Sequence, residues 1–370
     1  MGFSKQQHLQ CNIDALSIAF KLEKEKRNAT TSERLLLMQY SGFGGLKFVL
    51  NPADNPIDIN EWRKTDHPLF AKTQELLQLL RENSTDEKQY RSYVDSMRGS
   101  VLTAFYTPPP VINAIAAALK EKSIAIDRML EPSAGSGAFI ESFKKTFGAT
   151  SEISAYEKDL LTAKILKHIY PDVNTRVSGF EEIPENEKNS YDLVTSNIPF
   201  GDTSVFDLSY CRGKDPARVQ AARSIHNYFF LKGTDMLRDG GLLAFITSQA
   251  VLNSARNEPI RKALMHDNNL VSAIRLPNNL FTDHAGTQVG SDLIVLQKNS
   301  QKQGLSEIEQ RFCKTHTTAD DATNSMLFEN LNRVVHTSLY KDTDLYGRPA
   351  WIYEHGEGVE GIARDMKKML

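Results

Sequence analysis

Between about Val101 and Asn299 the chain alternates short apolar runs with stretches of helical spacing, and this alternation restricts the fold more than any other feature. Runs at 128–131, 153–157, 175–177, 193–196, 242–247, 272–276 and 293–297 read as seven strands. Helical segments between strands are what a parallel sheet needs for its crossovers. The last pair differs, because the roughly fifteen residues between 272–276 and 293–297 leave no room for a crossover helix, so strand seven should pair antiparallel with its neighbour. The expected fold class is therefore α/β: a Rossmann-like, seven-stranded mixed sheet with strand seven antiparallel, a helical N-terminal extension and a short C-terminal extension.

Three regions follow from the change in texture: a helical extension over 1–100, the α/β domain over 101–300 and a C-terminal extension over 301–370. In the first, Leu9, Ile13, Leu16 and Phe20 recur at helical spacing between Lys5 and Arg27. Thr30-Thr-Ser-Glu33 has capping-box spacing and predicts a helix that stops near Gly42. Gly42-Phe-Gly-Gly45 then reads as a turn, followed by a helix at about 68–81 and by 90–100 as the lead into the central region. Beyond Ser300 the chain turns polar, with Gln301-Lys-Gln-Gly304 as a linker.

With 40% hydrophobic and 24% charged residues in 370, the chain can bury a substantial core and is ordinary for a soluble enzyme. The longest apolar runs, 241–247 and 293–296, fall far short of the roughly 18 residues of a membrane span. The polar N-terminus lacks the apolar centre of a signal peptide. A cytoplasmic protein with no membrane partner is expected. The three cysteines form no C-x-x-C pair and the nine histidines no H-E-x-x-H, so neither a disulfide framework nor a metal site is predicted. The formal charge of −2 carries none of the basic surplus of a free-standing DNA binder, so any DNA affinity must come from a local patch or a partner.

Leu130-Glu-Pro-Ser-Ala-Gly-Ser-Gly-Ala-Phe139 places a glycine-rich turn directly between a strand and a helix, where backbone without Cβ can approach a ligand. Such a turn serves a nucleotide site or is structural only. Ile140 breaks the G-x-G-x-x-G dinucleotide spacing, which counts against NAD. Glu157, at the end of the second strand, can accept hydrogen bonds from both ribose hydroxyls or can be a solvated strand-end carboxylate. Phe105-Tyr-Thr-Pro108 precedes a helix that Pro109 or Pro110 can start, and its aromatic-hydroxyl pattern can close over a cofactor.

The segment Tyr191-Asp-Leu-Val-Thr-Ser-Asn197-Ile-Pro-Phe200-Gly is a buried strand ending in Asn-x-Pro-aromatic. The lone pair of an exocyclic amine such as adenine N6 is delocalised into its ring. The side-chain carbonyl of Asn197 and the backbone carbonyl of Ile198 can each take one N6 hydrogen, localising that lone pair toward a sulfonium methyl for in-line transfer. Pro199 stiffens the turn and Phe200 offers a flat face to the base. A duplex adenine must flip out at a cost of roughly a few kcal/mol, and one aromatic stack returns about 1–3 kcal/mol, so a second contact is expected. Phe281, in the loop after Arg275-Leu-Pro-Asn-Asn-Leu280, is the candidate, or else a hydrophobic plug beneath that loop. No general base is needed, since the proton leaves an already acidic ammonium. Cytosine C5 methylation would need a cysteine at this strand end, where there is none.

Taken in order, these motifs resemble the gamma-type N6-adenine class of amino-methylating DNA methyltransferases, over about Val101 to Asn299. The resemblance implies S-adenosylmethionine as cofactor, bound by Tyr106, Thr107, Glu131, Ser133, Gly135, Gly137, Glu157 and Phe180. It implies DNA as partner, with Asn197, Ile198, Pro199 and Phe200 as the catalytic motif. Ser41-Gly-Phe-Gly-Gly45, Ile-Pro-Phe-Gly201, Asn227-Tyr-Phe-Phe-Leu231, Asp239-Gly-Gly-Leu-Leu-Ala-Phe-Ile246 and Arg275-Leu-Pro-Asn-Asn279 are similar to the methylase portions of large methylase-helicase proteins of plasmids, phages and conjugative elements. That likeness implies modification or protection of mobile DNA, and a helicase or target-recognition partner. Two positions depart from the wider class. Ile198 replaces the usual second proline, where only a backbone carbonyl is used. Ser178-Gly-Phe180 lacks the usual acidic residue, leaving Phe180 to pack on the cofactor adenine.

Methylation of RNA adenine or of a protein glutamine stays open on the motif alone, as does a non-catalytic subunit that binds cofactor or DNA. The mixed-charge loop from Asp202 to Ser224, with Arg212, Lys214, Arg218 and Arg223, is either a phosphate contact or a solvated loop.

Overall fold

Ser4 caps helix α1 (Lys5–Glu25), whose stripe of Leu9, Ile13, Leu16 and Phe20 is buried as the spacing predicts. These come from a computed structural model that describes residues 4–103, 106–148, 151–201, 203–282, 288–318, 322–343 and 349–370. The Thr30–Glu33 capping box is formed and opens α2 (Thr31–Leu37), which stops at Leu37 rather than near Gly42. The chain turns there because Phe43 must reach the core. Gly42 and Gly45 take left-handed φ values of 67° and 76° on either side of it. The turn is held from two directions: Asn12 of α1 donates to the Gly42 carbonyl, and the Phe43 N–H donates to Ser100 Oγ at 3.0 Å. Helices α3 (Phe70–Glu82) and α4 (Glu87–Thr103) complete this region.

Pro109 and Pro110 start α5 (Pro109–Glu121), as expected of proline in a first turn. The sheet then assembles from β1 (Arg128–Glu131), β2 (Glu152–Tyr156), β3 (Asn174–Arg176), β4 (Tyr191–Asn197), β5 (Leu237–Ser248), β6 (Asn268–Leu276) and β7 (Ser291–Lys298). Helices α6 (Ala138–Phe147) and α7 (Leu160–Ile169) cross over between the first three strands. Helices α8 (Leu208–Cys211), α9 (Pro216–Ala221) and α10 (Ile225–Met236) join β4 to β5, and α11 (Ala250–Asn253) and α12 (Glu258–His266) join β5 to β6. The strand order is β3-β2-β1-β4-β5-β7-β6, with β7 antiparallel to both neighbours. The mixed seven-stranded sheet inferred from spacing is thus the one observed.

Side chains alternate across this sheet with period two. Leu193, Ile246 and Leu293 join one apolar layer with α1, α5, α6 and α7, while Val194, Phe245 and Ile294 join the other with α10 and α12. β5 starts earlier than its apolar run, at Leu237, and the register shifts between Tyr191/Leu237 and Leu193/Leu242. Arg238–Gly241 form the irregularity, with Gly240 at φ 80°.

The polar tail is structured. It contains α13 (Glu307–Cys313), paired β8 (Thr315–Thr317) and β9 (Ala322–Asn324), α14 (Ser325–Glu329), a hairpin of β10 (Ser338–Thr343) and β11 (Pro349–Glu354), and α15 (Gly358–Met369). Helix α15 packs on α5 and β6. Among the described residues no helix is long and apolar enough to cross a membrane.

Candidate active site

Sheets of this order bind ligands beyond the carboxyl ends of their strands, where the strand order reverses. Here that point lies between β1 and β4, and a cleft of about 890 Å³ opens there. Its size suits a small-molecule site. Tyr106, Thr107, Glu131, Ser133, Gly135, Glu157, Phe180, Asn197, Ile198, Pro199 and Phe200 all line it. Residues of β1, β2 and β4 that are far apart in sequence therefore converge. Phe105 and Asp202 lie outside the described residues.

The glycine-rich turn is tied on two sides. The Ala134 N–H donates to the Tyr156 carbonyl at 2.9 Å, and Ser196 Oγ donates to the Ser133 carbonyl at 3.0 Å. Gly135 sits at φ +54°, and a Cβ there would come within 2.4 Å of the Tyr106 ring. Glycine is required by this close approach as well as by the backbone. Gly137 has a different place: at φ +89° it precedes α6 with its back to Tyr170 and Leu166, where a Cβ would meet them at 2.5 and 2.8 Å. It does not line the cleft and serves helix packing.

The cleft is acidic. Glu157 accepts from the Gly135 N–H and the Asp159 N–H, each at 2.7 Å. Burial, and then the charge of Asp159, push its carboxyl up to about 7 despite those bonds. Glu131 is 1% exposed, and burial followed by the Glu157 charge holds it well above the usual carboxylate range. Burial also raises Asp159. Among the described residues none of the three has an ion-pair partner. Glu131 Oε2 and Thr107 Oγ1 are buried without a hydrogen-bond partner among the described residues. Two buried carboxylates and a half-buried third, all lacking cations, beside two unsatisfied oxygens, suit a cationic ligand with its own donors. S-adenosylmethionine, with a sulfonium and an ammonium, fits this donor set.

The end of β4, beside β1, carries the Asn-x-Pro-aromatic motif. Asn197 is the last residue of β4, and the Ile198 N–H donates to the Ile246 carbonyl at 3.0 Å, extending the pairing with β5 past the strand end. The Ile198 side chain is buried in the core, so this position is held from behind. Phe200 is half-buried. Phe281 meets it edge-on at 6.1 Å and 83°, but is fully buried and does not line the cleft. Its ring packs against Phe200 and the core rather than facing the opening, which is the plug expected as the other reading. Phe180, 1% exposed, is wedged against Phe229 at 5.1 Å with part of its surface at the cleft.

Three contributors escaped the sequence reading. Helix α4 crosses residue 100 and supplies one wall through Ser92, Asp95, Ser96 and Gly99. Ser96 Oγ donates to Asp159 Oδ2 at 2.6 Å and accepts from the Leu161 N–H at 3.0 Å. Asp159 is the N-cap of α7, where it accepts from the Thr162 N–H at 2.7 Å, and an aspartate just ahead of an apolar helical run is the signal that would have marked it. Phe206, 76% exposed, stands at the rim and belongs to no periodic pattern that sequence could have revealed.

The chain is 27% identical over 205 residues to the defense against restriction protein B of Escherichia phage P1, covering 54% of this chain and 8% of that protein. It is 24% identical over 223 residues to the type I restriction enzyme MpnII methylase subunit of Mycoplasma pneumoniae, covering 54% of this chain and 40% of that protein. It thus spans less than half the length of either curated relative. The solved methyltransferase subunit of a type I restriction-modification system from Streptococcus thermophilus superposes with a TM-score of 0.45 at 17% identity, over 75% of this chain and 69% of that one. The family model for N-6 DNA methylases matches residues 92–354, which cover the cleft, the whole sheet and both C-terminal hairpins. The chain belongs to the N-6 DNA methylase family.

Proposed function

We propose that this chain transfers a methyl group from S-adenosylmethionine to N6 of adenine in DNA, in modification or protection of bacterial or mobile-element DNA. The observation that carries this reading is the meeting, in one cleft, of the Asn197-Ile-Pro-Phe200 strand end with a wall of buried, cation-free carboxylates.

Bound there, S-adenosylmethionine supplies an electrophilic methyl on a cationic sulfur. Glu131 and Glu157 would hold its positive and hydroxyl groups, with Tyr106, Thr107, Ser133 and Gly135 closing around it and Phe180 against its adenine. Gly137 supports the turn from behind. The Asn197 side-chain oxygen and the Ile198 backbone carbonyl each accept one N6 hydrogen, which draws the nitrogen lone pair out of the ring. Pro199 fixes the spacing of those acceptors, and Phe200 presents an aromatic face to the flipped base. No step calls for a nucleophilic side chain.

Both curated relatives are much longer than the matched region, and the name of one describes a subunit. We infer that target recognition, and any helicase function, come from a partner or from further sequence. Cytoplasmic DNA is the site of action this implies.

Transfer of labelled methyl to duplex DNA, single-stranded DNA, RNA and a glutamine-containing peptide, followed by nucleoside analysis, tests the reading. N6-methyladenine should appear in DNA. Asn197→Ala should lower kcat by about 10²–10³-fold, the loss typical of a transition-state hydrogen-bonding group, while cofactor affinity holds within about threefold. Product confined to RNA or peptide would replace the substrate, and unchanged turnover in Asn197→Ala would remove the mechanism.

A further inference from the structure

The segment after Gly201 is built in a way that cofactor binding does not require. Val205 and Asp207 are clamped on either side of Phe206. The Val205 N–H donates to the Ala222 carbonyl at 2.8 Å. Asp207 is buried, accepts from Tyr228 Oη at 2.7 Å, and forms an ion pair with Lys232 at 3.1 Å in which the side chains are 7% and 2% exposed. A buried ion pair is costly to desolvate and gives little net stability, so it suits fixing a conformation better than strengthening a fold. What it fixes is a phenylalanine held out in water. Phe206 is more exposed than any other large apolar side chain among the described residues, and it lines the same cleft as Asn197 and Phe200. A single exposed apolar residue means little, but one held between two buried anchors at a cleft mouth is placed there.

The same strip of chain leads to a groove of about 730 Å³ between α9 and the start of α12, edged by Lys214, Arg223 and Arg256. Gln220 Nε2 donates to the Arg256 carbonyl at 2.6 Å and ties its two sides together. None of the three cations has an ion-pair partner among the described residues. Their neighbour Arg218 does: Asp235 takes it at 2.7 Å through Nη2, and Asp215 at 3.5 Å. Arg218 is therefore structural, while Lys214, Arg223 and Arg256 remain available to an anion. In a chain of net charge −2 such a local surplus is not a general surface property. The hydrogen bond from Val205 to Ala222 puts Phe206 and Arg223 on adjoining pieces of backbone.

We propose that the 203–223 segment, with Arg256, is the surface on which DNA lies during the reaction. Phe206 stacks on a base at the cleft mouth, and Lys214, Arg223 and Arg256 take backbone phosphates. This rests on the DNA reading above. Phe206 then supplies the second aromatic contact that a flipped adenine needs, in place of the buried Phe281.

Fluorescence anisotropy with a 2-aminopurine duplex and its single strand, at several salt concentrations and with cofactor present, tests the assignment on the full chain. Phe206→Ala should weaken DNA binding by about 10- to 100-fold, as removal of one base-stacking ring does, and Phe206→Trp should restore it. The triple variant Lys214→Gln/Arg223→Gln/Arg256→Gln should reduce the slope of log affinity against log salt by about 2 to 3, from roughly 0.9 per duplex phosphate contact. Cofactor affinity, measured in parallel, should hold in both variants and reports that they are folded. Wild-type DNA binding that neither variant changes would overturn this surface alone. Failure of the wild type to bind either DNA would overturn the DNA reading with it.

Discussion

Glu157 gives the residue-level prediction with the most definite sign. Its folded carboxyl sits at about 7 against an ordinary 4.5, so the folded state holds a proton that the unfolded state has lost between those values. The contribution to stability is present below about pH 4.5 and is lost as pH rises through 7, amounting to up to about 3 kcal/mol. A cationic ligand reverses this, because it favours the ionised carboxylates. Cofactor affinity should therefore rise between pH 6 and pH 8, with release of up to about one proton at the acid end of that window. Calorimetry in buffers of different ionisation enthalpy measures both, and flat affinity with no proton release would exclude an acidic wall that reads the cofactor's charge. That Glu131, Glu157 and Asn197 lie at strand ends around one cleft was legible, because strand ends and a glycine turn mark them locally. Gly137 was legible as a glycine but not as a packing glycine, since Tyr170 and Leu166 approach it from another element. Phe281 took the plug reading because its burial is set by the core around Phe200, and Phe206 carried no sequence signal because its exposure is set by the anchors Asp207 and Lys232.

At the scale of elements, periodicity located the helices and the sheet, and failed where a polar helix face lines the cleft. Helix α4 is the case in point. Tyr93, Val94 and Met97 bury one side, whereas Ser96 and Gly99 face the cleft, so the polar side resembles a solvated face and the region boundary fell at residue 100. Gly99 sits well inside the helix, and a Cβ added there would meet nothing within 4 Å. Its lack of a side chain costs about 0.8–1 kcal/mol of helix stability relative to alanine, which implies a use for the space. Gly99→Ala should raise thermal stability by about 0.5–1 kcal/mol and leave cofactor affinity within about threefold. Gly99→Phe should fill the cleft and weaken cofactor binding by more than about tenfold at similar stability, an energy of about 1.4 kcal/mol. Differential scanning fluorimetry with and without cofactor separates these effects, and equal cofactor shifts in both variants would show that α4 is a wall the ligand never meets.

On the whole-molecule scale, the extensions behave as parts of one core. The family match begins at residue 92 and ends at 354, yet α1 and α15 lie outside it and bury side chains in the same apolar layer as β4 and β5. Composition could only label the tail polar, because α15 presents a narrow stripe of Ile362, Ala363 and Met366 while its remaining faces are charged. That stripe covers α5, which the chain enters directly from Tyr106 and Thr107 at the cleft. A cap that shares the central core should not melt alone. Met366→Ala, at a side chain with 0% exposure, should cost about 2–5 kcal/mol and lower the transition of the entire chain as one unit. Calorimetry supplies the transition, and hydrogen exchange supplies its location. If α15 exchanged early while the amides of β4 and β5 kept their protection, the tail would be an appendage. If protection fell together across α15, α5 and the 106–112 approach, the C-terminal helix would be part of what holds the cleft in shape, and trimming the chain to its matched region would loosen the cofactor site at its entrance.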